Sequence, residues 1–198
     1  MQYVQYLRIV HDMAETAGPP HRVDAGRLVL RRIQATDAGA AAAAVSVSLD
    51  HLRPWLPWAT PESAGRPGQL ARVAQADQMW AAGISYLYSV MTVTHGTLIG
   101  EIALQRWPDG CIEIGYWIAA GRAGHGFGTA AARAMTSVAL ALPGVRRAEI
   151  HCDAANAASA TIPRKLGYRL DRVERRRSGA PGESGRLMVW VRDRADTE

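Results

Sequence analysis

Between Glu113 and Thr129 the sequence reads EIGYWIAAGRAGHGFGT: a β-type run, then a glycine-rich loop, then at once helix-forming residues. Gly124, Gly126 and Gly128 alternate there with His125 and Phe127. Glycines let the backbone turn tightly and leave its N–H groups uncovered, and the start of a helix adds the positive end of a dipole. A strand, loop and helix in this order can therefore cradle a pyrophosphate without a lysine. His125 reads as a residue defined by the loop backbone. Two carboxylates lie on the strand-like runs nearby. Glu113 leads into the loop, and alternation gives it the same face as Gly115 and Trp117; Glu101 sits on the preceding run. No Gly-Lys-Ser/Thr follows the glycines, so a P-loop is excluded, and three strands precede the loop where a dinucleotide fold would have one. A nucleotide-binding protein that uses the loop differently stays open.

The elements that must position these residues follow from pattern and punctuation. Residues 1–17 suit a short helix, broken by Gly18-Pro19-Pro20, and residues 1–26 read as an N-terminal appendage to a domain of residues 27–198. Leu28–Ile33 has strand character. Thr36-Asp37 can cap a helix running to about Leu49, and a second helix with Pro67 in its first turn ends near Gly83. Between them lies HLRPWLPWAT, residues 51–60, punctuated by Pro54 and Pro57. Ile84–Val93, Leu98–Trp107 and Cys111–Ile118 are β-rich and separated by short turns, which means antiparallel hairpins. After the loop come a helix over Thr129–Leu142, a strand Ala148–Asp153, a short helix Ala157–Leu166, and strands Tyr168–Glu174 and Arg186–Val191. This order, β-α-α-β-β-β-α-β-α-β-β, gives an α+β fold with helices on both faces of a mostly antiparallel sheet.

Composition narrows the setting. The chain has 198 residues, 48% of them hydrophobic, which suits one globular domain. Its formal charge is +5, carried almost wholly by arginine, since Lys165 is the only lysine. No segment alternates arginine with exposed aromatics as a single-strand groove would, and the Arg172–Arg177 stretch reads as a solvated strand edge, so no nucleic-acid partner is expected. Cys111 and Cys152 lack close metal-ligand partners and read as buried thiols; no metal is expected. No apolar run approaches the ~18 residues of a membrane span. Arg8, Asp12 and Glu15 interrupt the N-terminal stretch, against a signal peptide, so no membrane partner and a cytoplasmic location are expected. The apolar N-terminal segment points to a homodimer contact.

The run IGYWI, the loop GRAGHGFGTAAA and the later segment NAASATIPRKLGY resemble the GNAT N-acetyltransferase superfamily; with HLRPWLPWA they are most similar to its RimJ/RimL branch. The resemblance covers about residues 27–192. It implies a sheet splayed between its fourth and fifth strands, Cys111–Ile118 and Ala148–Asp153, with acetyl-CoA as co-substrate in the gap. Gly124, His125, Gly126, Phe127, Gly128 and Thr129 would hold the pyrophosphate, and Trp117, Ile118 and Ala119 would pair with the pantetheine amides as an added strand does. Asn156 and Ser159 match the family's Asn and Ser at the start of the next helix. Two positions depart from the pattern. Ala123 stands where Arg or Gln is usual, with Arg122 one residue early as a helper. Pro163 stands where many members have a tyrosine that protonates the departing thiolate. Pro163 also lacks an N–H and crowds the carbonyl of Ser159, so a kinked helix is expected.

The implied chemistry is attack of a neutral amine on a thioester. Ser159 is the candidate proton donor to the thiolate, and a backbone N–H near Ile118 the candidate partner of the thioester oxygen. Glu113 is the candidate base, through water, with Glu101 as rival. The resemblance places Trp55 and Trp58 beside an acceptor, which is a peptide or small-molecule amine. The leading reading is an N-acetyltransferase acting on a primary amine, a protein or peptide N-terminus among them. The alternatives are an acetyltransferase for small amines, including antibiotics, and an acyl-CoA-binding module without turnover.

Overall fold

In the computed structural model the described residues are 18–197. They build one mixed sheet of eight strands in the order β1-β2-β3-β4-β5-β6-β8-β7. The strands are β1 (Arg22–Ala25), β2 (Leu28–Arg32), β3 (Ser85–Thr92), β4 (Leu98–Trp107), β5 (Cys111–Ile118), β6 (Arg147–Asp153), β7 (Arg169–Arg175) and β8 (Arg186–Asp193). Every neighbouring pair is antiparallel except β5 and β6. The expected mixed, mostly antiparallel α+β sheet is therefore present, with one strand more than the sequence pattern suggested. Arg22–Ala25, placed by that pattern in the appendage, pairs with Leu28–Arg32 across a turn in which Gly26 adopts φ +66°. Val23 and Ala25 share one face and Arg22 and Asp24 the other, but a four-residue run is too short for that alternation to stand out. Residues 1–17, with the helix expected there, lie outside the described residues.

Helices cover both faces. On one lie α1 (Ala38–Ser46), α2 (Leu49–Leu52) and α3 (Arg66–Ala81), where the single helix expected up to Leu49 is divided at Val47-Ser48. Alanine, the best helix former, fills α1, and Ala41, Ala44 and Val45 pack with Leu98, Trp117 and Ala119 of the sheet. On the other face lie α4 (Phe127–Ala141) and α5 (Ala157–Lys165), enclosing the larger core of Ile102, Ile112, Ile114, Met135, Ile150 and Trp190. Tyr168 is buried there, its hydroxyl 2.7 Å from that of Thr136.

The parallel pairing of β5 with β6 is short. It joins Cys111 to Arg147, Ile112 to Ala148 and Glu113 to Glu149, and no further pair follows. Beyond Glu113 the two strands part, and this opening positions everything below.

Candidate active site

A cavity of about 810 Å³ fills the opening. Strand β5 contributes Glu113, Gly115, Tyr116, Trp117 and Ile118 to its lining, and β6 contributes His151, Cys152 and Asp153. At one end the cavity meets Arg122, Ala123, Gly124, Gly126, Gly128 and Thr129.

That end is built as the loop sequence demands. Gly126 is the N-cap of α4 with φ +80°, and Gly124 has φ +78°, conformations open to glycine at no steric cost. No side chain caps the helix, so the first-turn N–H groups remain available to an anion. A Cβ at either glycine would meet no protein atom within 4 Å, whereas one on Gly128 would press on Ile162. His125 turns back to the Ala123 carbonyl, 2.8 Å away, and Phe127 packs against the main core. Neither lines the cavity. The sequence reading missed Arg27. From the β1–β2 turn its guanidinium donates to the His125 carbonyl at 3.1 Å and lies 4.9 Å from the Phe127 ring centre. It brings positive charge to the loop that Ala123 lacks, from about a hundred residues away, and no local pattern could have announced it.

Along the opening, the Ala119 N–H donates to Ile99 of β4 and the Ala119 carbonyl accepts from Arg122. Alternation in an antiparallel ladder then directs the main-chain groups of Trp117 toward β4 and those of Ile118 and Tyr116 toward the gap. Of the three residues expected to pair with an added strand, only Ile118 presents main-chain groups to it, and Tyr116 joins it. Trp117 instead buries its ring on the α1 side and donates from Nε1 to Glu101 at 3.1 Å.

Across the opening stands the first turn of α5. Asn156 caps it, its side-chain oxygen accepting from the Ser159 N–H at 3.0 Å. Ser159 lines the cavity, and its hydroxyl is 3.4 Å from that of Tyr116. The helix runs past Pro163 to Lys165. Pro163 offers no N–H to the Ser159 carbonyl, and the Tyr116 hydroxyl donates to it at 3.4 Å. Burial raises the Tyr116 phenol above its ordinary range, keeping it protonated. A tyrosine hydroxyl thus reaches the site from β5 although α5 has none. Burial also raises the Cys152 thiol.

The two candidate carboxylates are separated by the fold. Glu101 is 1% exposed and does not line the cavity; burial pushes its carboxyl up, against the opposing pull of Arg72 and the Trp117 N–H. Glu113 faces the cavity with 26% of its side chain exposed and accepts from the Trp107 indole at 3.1 Å. Its second neighbour is His151, Nδ1 lying 3.5 Å from Glu113 Oε2. The tryptophans separate likewise. Trp55 lines the cavity, whereas Trp58 packs edge-on to Trp117 with Arg72 over its ring. Trp58 therefore holds the wall up and does not form its surface.

The acceptor side is closed by two loops. The Gly182 N–H of the β7–β8 loop donates to the Pro54 carbonyl at 2.8 Å, and Arg176 and Glu183 of that loop line the cavity. Asp153 ties the loop to β6, accepting from the Ser184 hydroxyl and from the N–H groups of Ser184, Ala155 and Arg186. Among the described residues no three His, Cys, Asp or Glu side chains are placed to hold a metal ion, and no helix is long and apolar enough to cross a membrane.

The parted sheet beside an uncapped helix N-terminus forms a cleft suited to an anionic co-substrate. The profile of the acetyltransferase (GNAT) domain matches residues 27–169, and the chain belongs to that family of acetyltransferases. Its fold is that of RimL, the ribosomal L7/L12 alpha-N-protein acetyltransferase in complex with coenzyme A: TM-score 0.79 at 17% identity, over 87% of this chain and 97% of that one. Mycobacterium smegmatis RimJ in complex with CoA-disulfide is similar with TM-score 0.78 at 20% identity, over 92% and 89%. The microcin C7 self-immunity acetyltransferase MccE, in complex with acetyl-CoA and AMP, is similar with TM-score 0.77 at 14% identity, over 88% and 97%. No curated protein matches the sequence.

Proposed function

We propose that this acetyltransferase moves the acetyl group of acetyl-CoA onto the α-amino group of a peptide or protein N-terminus. The observation that carries the reading is the opening between β5 and β6, with the uncapped α4 N-terminus at one end and the Glu113 carboxylate at the other. The residues fit the co-substrate: the loop from Gly124 to Thr129, with Arg122 and Arg27, would hold its phosphates, and Ile118 and Tyr116 its pantetheine amides. Bound there, it supplies an acyl carbon activated as a thioester. Glu113 would draw the ammonium group of the acceptor to the gap, where a base takes its proton, directly or through water. The hydroxyl pair of Ser159 and Tyr116, 3.4 Å apart, would give the departing thiolate its proton.

The choice of an α-amino group rests on acid–base cost. A free α-amino group has a pKa near ~8 and a lysine side chain near ~10.4, so the neutral form costs about 1.4 and about 4.6 kcal/mol respectively at pH 7. A site with one exposed carboxylate suits the cheaper amine. The name of RimL, an alpha-N-protein acetyltransferase, agrees with it, and a small amine is the second reading, which MccE, a self-immunity acetyltransferase in complex with AMP, keeps in view. A panel of free peptides, N-terminally blocked peptides containing lysine, and small amines tests this by thiol release. Free peptides are expected to turn over fastest. Preference for blocked lysine peptides rejects the reading, and turnover of small amines alone replaces it with the second.

A further inference from the structure

His151 lies at the point where β5 and β6 separate, one residue past Ile150 and two past the last paired residue, Glu149. Its ring is held between two carboxylates. Nε2 is 2.7 Å from Glu149 Oε2, and Nδ1 is 3.5 Å from Glu113 Oε2. Both neighbours only accept hydrogen bonds, so the single proton of a neutral ring goes to the shorter contact, on Nε2 toward Glu149. Glu149 is buried and pinned in turn by Arg147 at 2.9 Å. Nδ1 is then left with a lone pair that faces the Glu113 carboxylate and the cavity. Two electron-rich atoms at that distance repel, and an ammonium group set beside the pair can donate to both.

We propose that His151 Nδ1 takes the proton from the acceptor amine, with Glu113 binding the ammonium beside it; this rests on the transferase reading above. Imidazole is the side chain most often used as a general base near neutral pH, while a carboxylate binds a cation by charge alone. The division of work follows: the anion attracts the cation, and the imidazole accepts its proton. The ammonium gives one proton to Nδ1. The freed amine forms its bond to the thioester carbon as the carbon–sulfur bond breaks. The second proton lost from nitrogen balances the one the thiolate gains through the Ser159–Tyr116 pair, and the imidazolium returns its proton to solvent.

Besides Glu113 and Glu149, the charged and titratable groups near the ring are Cys152 and Asp153 on its own strand, Arg147 and Arg172, which act on Glu149, and the cavity-lining Tyr116, Arg122, Lys165, Arg176, Glu183 and His51. The hydrogen bond from His151 is the largest influence holding the Glu149 carboxyl below its ordinary value, which is the other half of the same contact.

The test is the pH dependence of kcat/KM for the acceptor at saturating acetyl-CoA, in wild type, His151→Gln and Glu149→Gln. The stabilisation of each protein by acetyl-CoA serves as the folding control. Wild type is expected to lose rate below neutrality. His151→Gln should fall on the order of 10²-fold at neutral pH and keep only a limb set by the acceptor amine's own protonation, near ~8. Glu149→Gln should keep the limb but move it to lower pH, because the ring loses an anionic partner. Nitrogen-15 NMR of the wild-type imidazole should report the Nε2–H tautomer. A His151→Gln profile that matches wild type, or an Nδ1–H tautomer, overturns the inference and leaves the transferase reading standing. If His151→Gln fails the folding control, an unmoved limb in Glu149→Gln overturns it. Absence of wild-type turnover with every amine overturns both.

Discussion

At the scale of single residues, what a carboxylate does here is set by what surrounds it. Glu101, Glu113 and Asp153 all sit on strands near the gap, yet one is sealed under Trp117, one faces the cavity, and one is consumed by hydrogen bonds. Asp153 shows the balance most clearly. Burial works to raise its carboxyl, but the Ser184 hydroxyl and three main-chain N–H groups outweigh it and hold the group down to about 2. A carboxyl depressed in the folded state contributes stability above its unfolded pKa near ~3.9 and loses it as pH falls toward the folded value. Asp153→Asn should therefore melt below wild type at pH 5–7, with the difference closing between about pH 4 and pH 2. Melting curves across that range check it; a difference independent of pH would mean that packing, not charge, is what Asp153 supplies.

The elements around the acceptor act as a pair. The Pro54–Trp58 segment gains its position from α1 and from Trp58 against Trp117, and the β7–β8 loop reaches it through one hydrogen bond at Gly182. A Cβ on Gly182 would come within 2.7 Å of Pro54, where backbone and ring leave no room. Gly182→Val is thus expected to push the two loops apart. The Kd for acetyl-CoA should hold, since its end of the cavity is elsewhere, while KM for a peptide acceptor should rise several-fold. Equal effects on both ligands would show that the loops close the whole cavity and not its acceptor end.

For the molecule as a whole, the sheet is two halves joined through three residue pairs of β5 and β6 and through the helices packed across them. A ligand that lines that gap and binds only the folded state must stabilise the protein, by about 2.7 kcal/mol at a hundred times its Kd. Acetyl-CoA should accordingly raise Tm by several degrees. Gly126→Val should melt lower than wild type because φ +80° is costly for a branched side chain, and it should lose the shift because the new methyl groups occupy the phosphate end. A full shift in Gly126→Val, measured by calorimetry, would remove the loop from the binding site.

The sequence alone determined the features that are local. Hairpin turns, the strand–glycine–helix junction and the NAASATIPRKLGY segment are contiguous, and contiguity is what periodicity and turn chemistry report. It therefore carried the fold class, the family and the junction of strand, glycine loop and helix. Tertiary structure decided what depends on register and long-range approach. Alternation put Glu113 and Trp117 on one face, as read, but only the depth of helix packing over β4 buries Glu101 and turns Trp58 from cavity wall to buttress. Only the pairing of β1 with β2 brings Arg27 to the glycine loop. Only the end of the β5–β6 ladder brings His151, from a different strand, between Glu113 and Glu149, because two residues 38 positions apart become neighbours through a strand pairing that no local pattern encodes.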